Sequence, residues 1–138
     1  MAAARAPLVG IGLCLAALAG VVVLLVRPLP WSSPRDETLP TCPAVDLRPG
    51  QGSSDVPPAA VHCLFGQTAG REGAELQVTV YTDEGDAIDV YYRRSPDHAG
   101  LVVMEDQRAD RYGTGGWVVS ECPEATALDA LGTCTVRE

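Results

Sequence analysis

An uncharged apolar run from Leu8 to Val26 constrains this chain more than any other feature of its sequence. As an α-helix the run would be about 28 Å long at roughly 1.5 Å per residue, close to the roughly 30 Å hydrocarbon core of a bilayer. Arg5 precedes the run and Arg27 ends it, and Pro28 cannot continue a hydrogen-bonded helix. The sequence therefore predicts a transmembrane helix over residues 8–26.

Three interpretations of this segment predict different mature proteins. In the first it is an uncleaved signal anchor, with residues 1–7 in the cytoplasm. In the second it is a signal peptide cut after Ala19, because Ala17 and Ala19 supply the small residues that signal peptidase reads, although this cut leaves an apolar stub. In the third it is a lipoprotein signal acylated at Cys14, with only a short apolar stretch before it. We expect the signal anchor and keep secretion after cleavage near Ala19 as the alternative.

The cysteines indicate which side of the membrane holds the rest of the chain. The positive charges on the two sides of the apolar run do not decide its orientation, because the N-terminal amine and Arg5 on one side are balanced by Arg27 and Arg35 on the other. Four cysteines lie beyond the apolar run: Cys42, Cys63, Cys122 and Cys134. An even number in a small exported domain predicts two disulfides formed in an oxidising compartment. We therefore expect this part outside the cell membrane.

The pairing of the four cysteines stays open, because three connectivities are possible. We prefer Cys63 with Cys122, which joins the predicted helix to the predicted sheet, and Cys42 with Cys134, which joins the two ends. Each bridge would stabilise the fold by about 2 to 4 kcal/mol. Such bridges compensate for a thin core, since the chain has one Phe and the domain is small.

A proline-rich segment separates the apolar run from the first of these cysteines. Residues 27–41 contain Pro28, Pro30, Pro34 and Pro40. This content favours an extended spacer that holds a domain away from the lipid surface. A disulfide at Cys42 would tie the chain to the folded part, so we place the extracytoplasmic domain at residues 42–138.

Net charge excludes one class of partner. Beyond residue 27 the chain has eight arginines, no lysine and eighteen carboxylates, a net charge of −10. A phosphate backbone is bound through clustered cations, and the only adjacent pair here is Arg93-Arg94. We therefore expect no nucleic acid partner, and the same balance disfavours docking on anionic lipid or wall polymers.

Hydrophobic periodicity predicts one helix followed by strands. Apolar residues at helical spacing indicate a helix over residues 59–68, closed by Gly70. Alternating or apolar stretches predict strands at residues 75–83, 87–94, 101–105 and 117–122, and a short helical turn is predicted at 124–131. The first two strands form a hairpin around a glycine turn. The expected fold is α+β, with one helix packed on a 3–4-stranded antiparallel sheet and stapled by disulfides.

No residue pattern in the sequence indicates catalysis or a bound cofactor. His62 adjoins Cys63, but neighbouring positions of a helix point in different directions, and Cys63 is better explained as half of a disulfide. His98 lies in a polar loop beside Asp97, which is typical of a solvated histidine. Residues 112–117 are glycine-rich, but a chain without lysine lacks the charge of a phosphate loop. We expect no catalytic residue and no cofactor.

Acidic turns provide the candidate ion ligands. Asp83, Glu84 and Asp86 surround a glycine, and oxygen-rich turns are typical of calcium sites. Neither this turn nor the one carrying Asp106 and Asp110 has the spacing of a twelve-residue calcium loop. Acids beside glycine are also ordinary turn residues. We therefore expect a solvated turn here, with Asp83, Glu84 and Asp86 as the candidate metal ligands of the alternative.

Tyr91 and Arg93 are the candidate binding residues. They fall on the strand face opposite Val90 and Tyr92. Exposed aromatic and guanidinium groups frequently anchor interfaces. We expect Tyr91 and Arg93 on an exposed face of the sheet, where they are candidates for contact with a partner, although tyrosine is also common on solvated sheet faces.

One resemblance covers residues 58–122. Its features, in order, are a span or signal, a Pro-rich spacer, a Cys on a short helix, Glu75-Leu76, Glu84-Gly85-Asp86 running into 88–93, Asp106, Asp110, Tyr112-Gly113, Trp117 and Cys122. This order resembles small uncharacterised single-span exported proteins of high-GC Gram-positive (actinobacterial) bacteria. The resemblance implies a place in the envelope and no assigned chemistry, and Cys42 and Cys134 are additions to its pattern.

The sequence thus predicts a membrane-anchored extracytoplasmic binding or accessory module of the cell envelope, without catalysis of its own. Its expected partners are the lipid bilayer, through residues 8–26, and an envelope protein. The alternative is a small carboxylate- or metal-dependent hydrolase acting on cell-wall material.

Overall fold

A computed structural model describes residues 34–35 and 39–137. These belong to one compact unit, residues 33–138. The predicted N-terminal segment 1–7 and span 8–26 lie outside the described residues, and so do Cys14 and the cleavage site after Ala19. Among the described residues, no helix is long and apolar enough to cross a membrane.

A single sheet of six strands organises the domain. The strands are β1 Val45–Asp46, β2 Ala74–Tyr81, β3 Ala87–Arg94, β4 Leu101–Asp106, β5 Trp117–Cys122 and β6 Thr135–Arg137. They lie side by side in chain order. β1 runs parallel to β2, and every other neighbouring pair is antiparallel. The predicted α+β class is confirmed, but the sheet is mixed and has more strands than the expected three or four.

The β2–β3 hairpin follows the alternation of the sequence. Leu76 pairs with Tyr92 and Val78 pairs with Val90, so apolar side chains stack across the two strands on one face. The turn between them contains Gly85 at φ 85, a left-handed conformation that glycine adopts without steric cost. The predicted hairpin is confirmed.

The chain just before and after Cys42 runs along the outer edge of β2. The backbone N–H of Glu75 donates to the carbonyl of Pro40 at 2.8 Å, and the N–H of Cys42 donates to the carbonyl of Glu75 at 2.7 Å. Thr41 forms a parallel bridge with Glu75. Part of the predicted spacer is therefore paired with the sheet. The prolines on either side of Cys42 hid this strand signal from sequence analysis.

Two short helices replace the single predicted one. They are α1, Pro58–Phe65, and α2, Gln67–Glu72. Gly66 separates them with an extended conformation, φ −65 and ψ 170, and Gly73 at φ 80 follows the end of α2. The prediction that the helix continues to residue 68 and closes at Gly70 is wrong, because the chain turns at Gly66.

The predicted helical turn at residues 124–131 is also wrong. This segment forms turns closed by a bridge between Ala127 and Ala130. Its buried side chains, Ala125 and Leu128, face the core from these turns.

The core lies between the helices and one face of the sheet. Its fully buried members include Leu64 of α1, Leu76 and Val78 of β2, and Leu101 of β4. α1 packs on β2 and β3. The helices thus cover one face of the central strands.

Two disulfides form, but both preferred bonds, Cys63–Cys122 and Cys42–Cys134, are wrong. Cys42 is bonded to Cys63, and Cys122 is bonded to Cys134. The preferred bond between Cys42 and Cys134 is wrong because their segments lie near opposite edges of the sheet, about 24 Å apart at about 4.8 Å per strand. A disulfide needs Cα atoms within about 7 Å. Each observed bridge anchors the chain near one short edge strand.

Candidate functional site

The sheet has a second face, which we call the open face: the side that α1 and α2 do not cover. Cross-strand partners share a face, which places Glu75 beside Arg93 and Tyr91 beside Met104. The same register adds Val102, Trp117 and Val119 of β4 and β5. Both Tyr91 and Met104 are buried, yet neither belongs to the main core. The open face therefore has a packed centre of its own.

A buried carboxylate holds one side of the open face together. Glu75 is 3% exposed and forms ion pairs with Arg35 and Arg93. The Nε of Arg93 lies 3.2 Å from the Oε2 of Glu75. Nε of Arg35 also donates to Oε2 of Glu75 at 3.4 Å. We call Arg35, Glu75, Tyr91 and Arg93 the Glu75 cluster. The cluster connects β2 and β3 to Arg35, which precedes Glu75 by forty residues.

Tyr91 is sandwiched rather than exposed. The guanidinium of Arg35 lies 4.2 Å from the centre of its ring, and the Trp117 ring centre is 5.7 Å away. A cation over a tyrosine face is attracted by the ring quadrupole. Burial raises the pKa of the Tyr91 hydroxyl above its ordinary value.

The expected face for Tyr91 and Arg93 is correct, but the expected exposure is wrong. Tyr91 is 6% exposed, and the Arg93 side chain is 12% exposed. The physical reason is the cover that Arg35 and Trp117 provide from distant parts of the sequence. Arg93 and Trp117 line a pocket on this face, whereas Tyr91 presents little surface of its own.

A pocket of about 450 Å³ opens on this face. Its described lining residues come from β3 to β6, the β3–β4 loop and the segment before β1: Pro34, Leu39, Arg93, Ser95, His98, Val102, Met104, Trp117, Val119 and Arg137. Val102, Met104 and Val119 form an apolar floor. The charged lining residues among these are arginines, and none is acidic. Concave, mostly apolar pockets with a few polar groups are typical of ligand sites.

Sequence analysis missed most of this site, including Arg35, Met104 and Trp117. In β4, Val102 and Met104 alternate with the core residues Leu101 and Val103. This alternation in the sequence already indicates that Val102 and Met104 lie on the other face of the sheet. The Trp117 ring packs on Tyr91 and lies under the guanidinium of Arg108 at 5.6 Å. Its buried Nε1 has no hydrogen-bond partner among the described residues.

Arg111 binds Asp86, one of the three acidic residues of the turn between β2 and β3. Nε of Arg111 donates to both carboxylate oxygens of Asp86 at 3.1 Å, and these bonds hold the pKa of Asp86 below its usual value. Asp83 and Glu84 are exposed. In the part of the chain that the structure describes, no three His, Cys, Asp or Glu side chains are grouped to hold a metal ion, and this includes Asp83, Glu84 and Asp86.

Two further carboxylates meet on the open face, beyond the pocket. Asp89 and Asp106 are cross-strand partners. Asp89 accepts a hydrogen bond from the Thr79 hydroxyl at 2.7 Å, and Asp106 pairs with Arg108. The hydrogen bond from Arg108 lowers the pKa of Asp106. A glycosidase needs one carboxyl with a raised pKa as its acid, and this pair does not supply it through Asp106.

Comparison with known proteins adds no relative. No protein-family model matches this chain, and searches of curated proteins and of solved structures find no match. The resemblance to small exported actinobacterial proteins therefore stays a prediction.

Proposed function

We propose that this chain is a membrane-anchored extracytoplasmic binding module of the cell envelope, without catalysis of its own. Residues 8–26 would hold it in the bilayer, and the open face of the sheet would engage an envelope protein. The paired cysteines support an oxidising compartment, because disulfides persist there and are rare in the cytosol.

The observation that carries this proposal is the combination of pocket and cluster on the open face. Val102 and Val119 supply accessible apolar surface above the buried Met104, and the Glu75 cluster fixes the neighbouring strands. A preordered surface loses less conformational entropy when a partner binds. The open face is therefore a preordered surface suited to binding a partner protein.

The polar groups of this face support binding more than catalysis. Glu75 pairs with arginines, Asp89 accepts from Thr79, and Asp106 pairs with an arginine of its own loop. A general acid or base needs a pKa near the working pH and a free path to substrate. Asp86 and Asp106 have lowered pKa values, which gives the hydrolase alternative no support.

Site-specific photocrosslinking in intact cells tests the proposal. A photoreactive amino acid at Val102 or Val119 should form an adduct with one envelope protein on irradiation. The matched control places the same amino acid at Gln67, which is exposed on α2. Equal adducts from Gln67, or none from the open-face positions, would contradict the proposal.

A further inference from the structure

We propose that the open-face pocket binds a small amphipathic carboxylate: one carboxylate group attached to an apolar body of aromatic or aliphatic carbon. This inference goes beyond the proposed docking of an envelope protein, because it assigns a small ligand to the pocket on the same face. Three features of the pocket carry it: its floor, its charge and the state of its two arginines.

The floor of the pocket sets the apolar part of the ligand. Met104 and Val119 are cross-strand partners, and Val102 lies two residues from Met104 on the same strand face. Apolar surface buried against them stabilises a complex in proportion to its area. The pocket volume of about 450 Å³ lies within the roughly 300–1,000 Å³ range typical of small-ligand sites.

The charge of the pocket sets the sign of the ligand. The chain beyond residue 27 has eighteen carboxylates against eight arginines. Among the described lining residues this balance reverses, because Arg93 and Arg137 are present, His98 lies with them, and no acid does. The carboxylate partners of these arginines, Glu75 and Glu121, do not line the pocket, so a ligand inside it contacts guanidinium groups and no described carboxylate.

Arg137 is the group that receives the carboxylate. Arg93 is largely buried and already paired with Glu75. Arg137 lies beside Val119 in the sheet, and its side chain is 55% exposed in an ion pair with the half-exposed Glu121. Exposed ion pairs contribute little to stability, so the guanidinium can exchange one carboxylate for another. Its fork geometry matches a carboxylate with two parallel hydrogen bonds.

Isothermal titration with the full-length chain in lipid nanodiscs tests this inference. The probe is 4-phenylbutanoate, a water-soluble monoanion, and its neutral amide is the matched ligand control. Empty nanodiscs measure partition into lipid. We expect saturable binding of the acid at one site, with the amide binding at least about ten-fold more weakly, because a charge-assisted hydrogen bond is lost.

Two variants locate the site. Arg137→Gln should weaken binding of the acid about ten- to hundred-fold and leave binding of the amide unchanged. Arg71→Gln removes an exposed arginine from α2 and should have no effect. The inference is overturned if acid and amide bind equally, if neither binds, or if the two variants weaken the acid to the same extent.

The outcome is separable from that of the crosslinking experiment. A chain that crosslinks to an envelope protein from Val102 but does not bind the carboxylate overturns only the ligand chemistry. A chain that binds the carboxylate through Arg137 but forms no protein adduct overturns the protein partner and keeps the pocket.

Discussion

Glu75 is a single buried carboxylate that faces the guanidinium groups of both Arg35 and Arg93. Removing one member of a buried ion pair is strongly destabilising, because the other charge keeps its desolvation penalty. At the scale of residues, Glu75 therefore links the stability of the domain to the shape of its open face.

Glu75→Gln should lower the free energy of unfolding by about 3 kcal/mol, measured by urea denaturation of the intact chain. The control is Glu72→Gln at the exposed end of α2, which should change it by less than about 0.5 kcal/mol. Equal effects of the two substitutions would show that the Glu75 cluster does not stabilise the fold.

The ion pair between Asp86 and Arg111 predicts a pH dependence. A carboxyl with a lowered folded-state pKa stabilises the fold above its unfolded pKa, about 3.9, and this contribution disappears as the pH falls through the folded value. In an NMR titration, Arg111→Gln should raise the pKa of Asp86. Asp106 should keep its lowered pKa, because Arg108 holds it. If both carboxyls shift together, the assignment of Arg111 as the cause is wrong.

At the scale of elements, Gly66 decides where the helical region breaks. A Cβ atom at position 66 would lie 2.6 Å from the carbonyl oxygen of His62. Gly66→Ala should therefore lower the free energy of unfolding by about 1 to 3 kcal/mol, measured by urea denaturation. Gly52→Ala is the control, because a Cβ there meets nothing within 4 Å and should leave stability unchanged or raise it by up to about 1 kcal/mol. A Gly66→Ala chain as stable as the control would refute this role.

Elements with a strong local pattern were predictable from the sequence. β2 to β5 appear within two residues of their expected bounds, because alternating or apolar residues encode half-buried strands directly. β1 and β6 have two and three residues, too few for a period, and depend on pairing with distant neighbours. The helix boundary depended on one glycine in an extended conformation.

The candidate site was only partly predictable, because some of its residues are brought together by contacts between distant parts of the sequence. The alternation of β3 placed Tyr91 and Arg93 on the correct face. Their burial depends on Arg35 and Trp117, which no local pattern brings to them. Arg137 lies in β6, a strand of three residues that pairs with β5. Such a short segment has no pattern from which its place in the sheet could be predicted.

At the scale of the whole molecule, the two disulfides define how the domain is held. Cys42–Cys63 ties the segment before β1 to α1, and Cys122–Cys134 ties β5 to the segment before β6. Each closes a short stretch of chain, and such bridges stabilise by about 2 to 4 kcal/mol each. We propose that the domain carries these bridges because it is exported.

Tryptic mapping of protein from its native host, with thiols blocked before lysis, tests this claim most directly. Arginines at 35, 71, 111 and 137 give peptides 36–71 and 112–137, because Arg48 precedes a proline and resists cleavage. We predict two separate peptides, each with an internal disulfide and no blocked thiol. Blocked cysteines at these four positions, or the two peptides joined to each other by disulfides, would contradict the account.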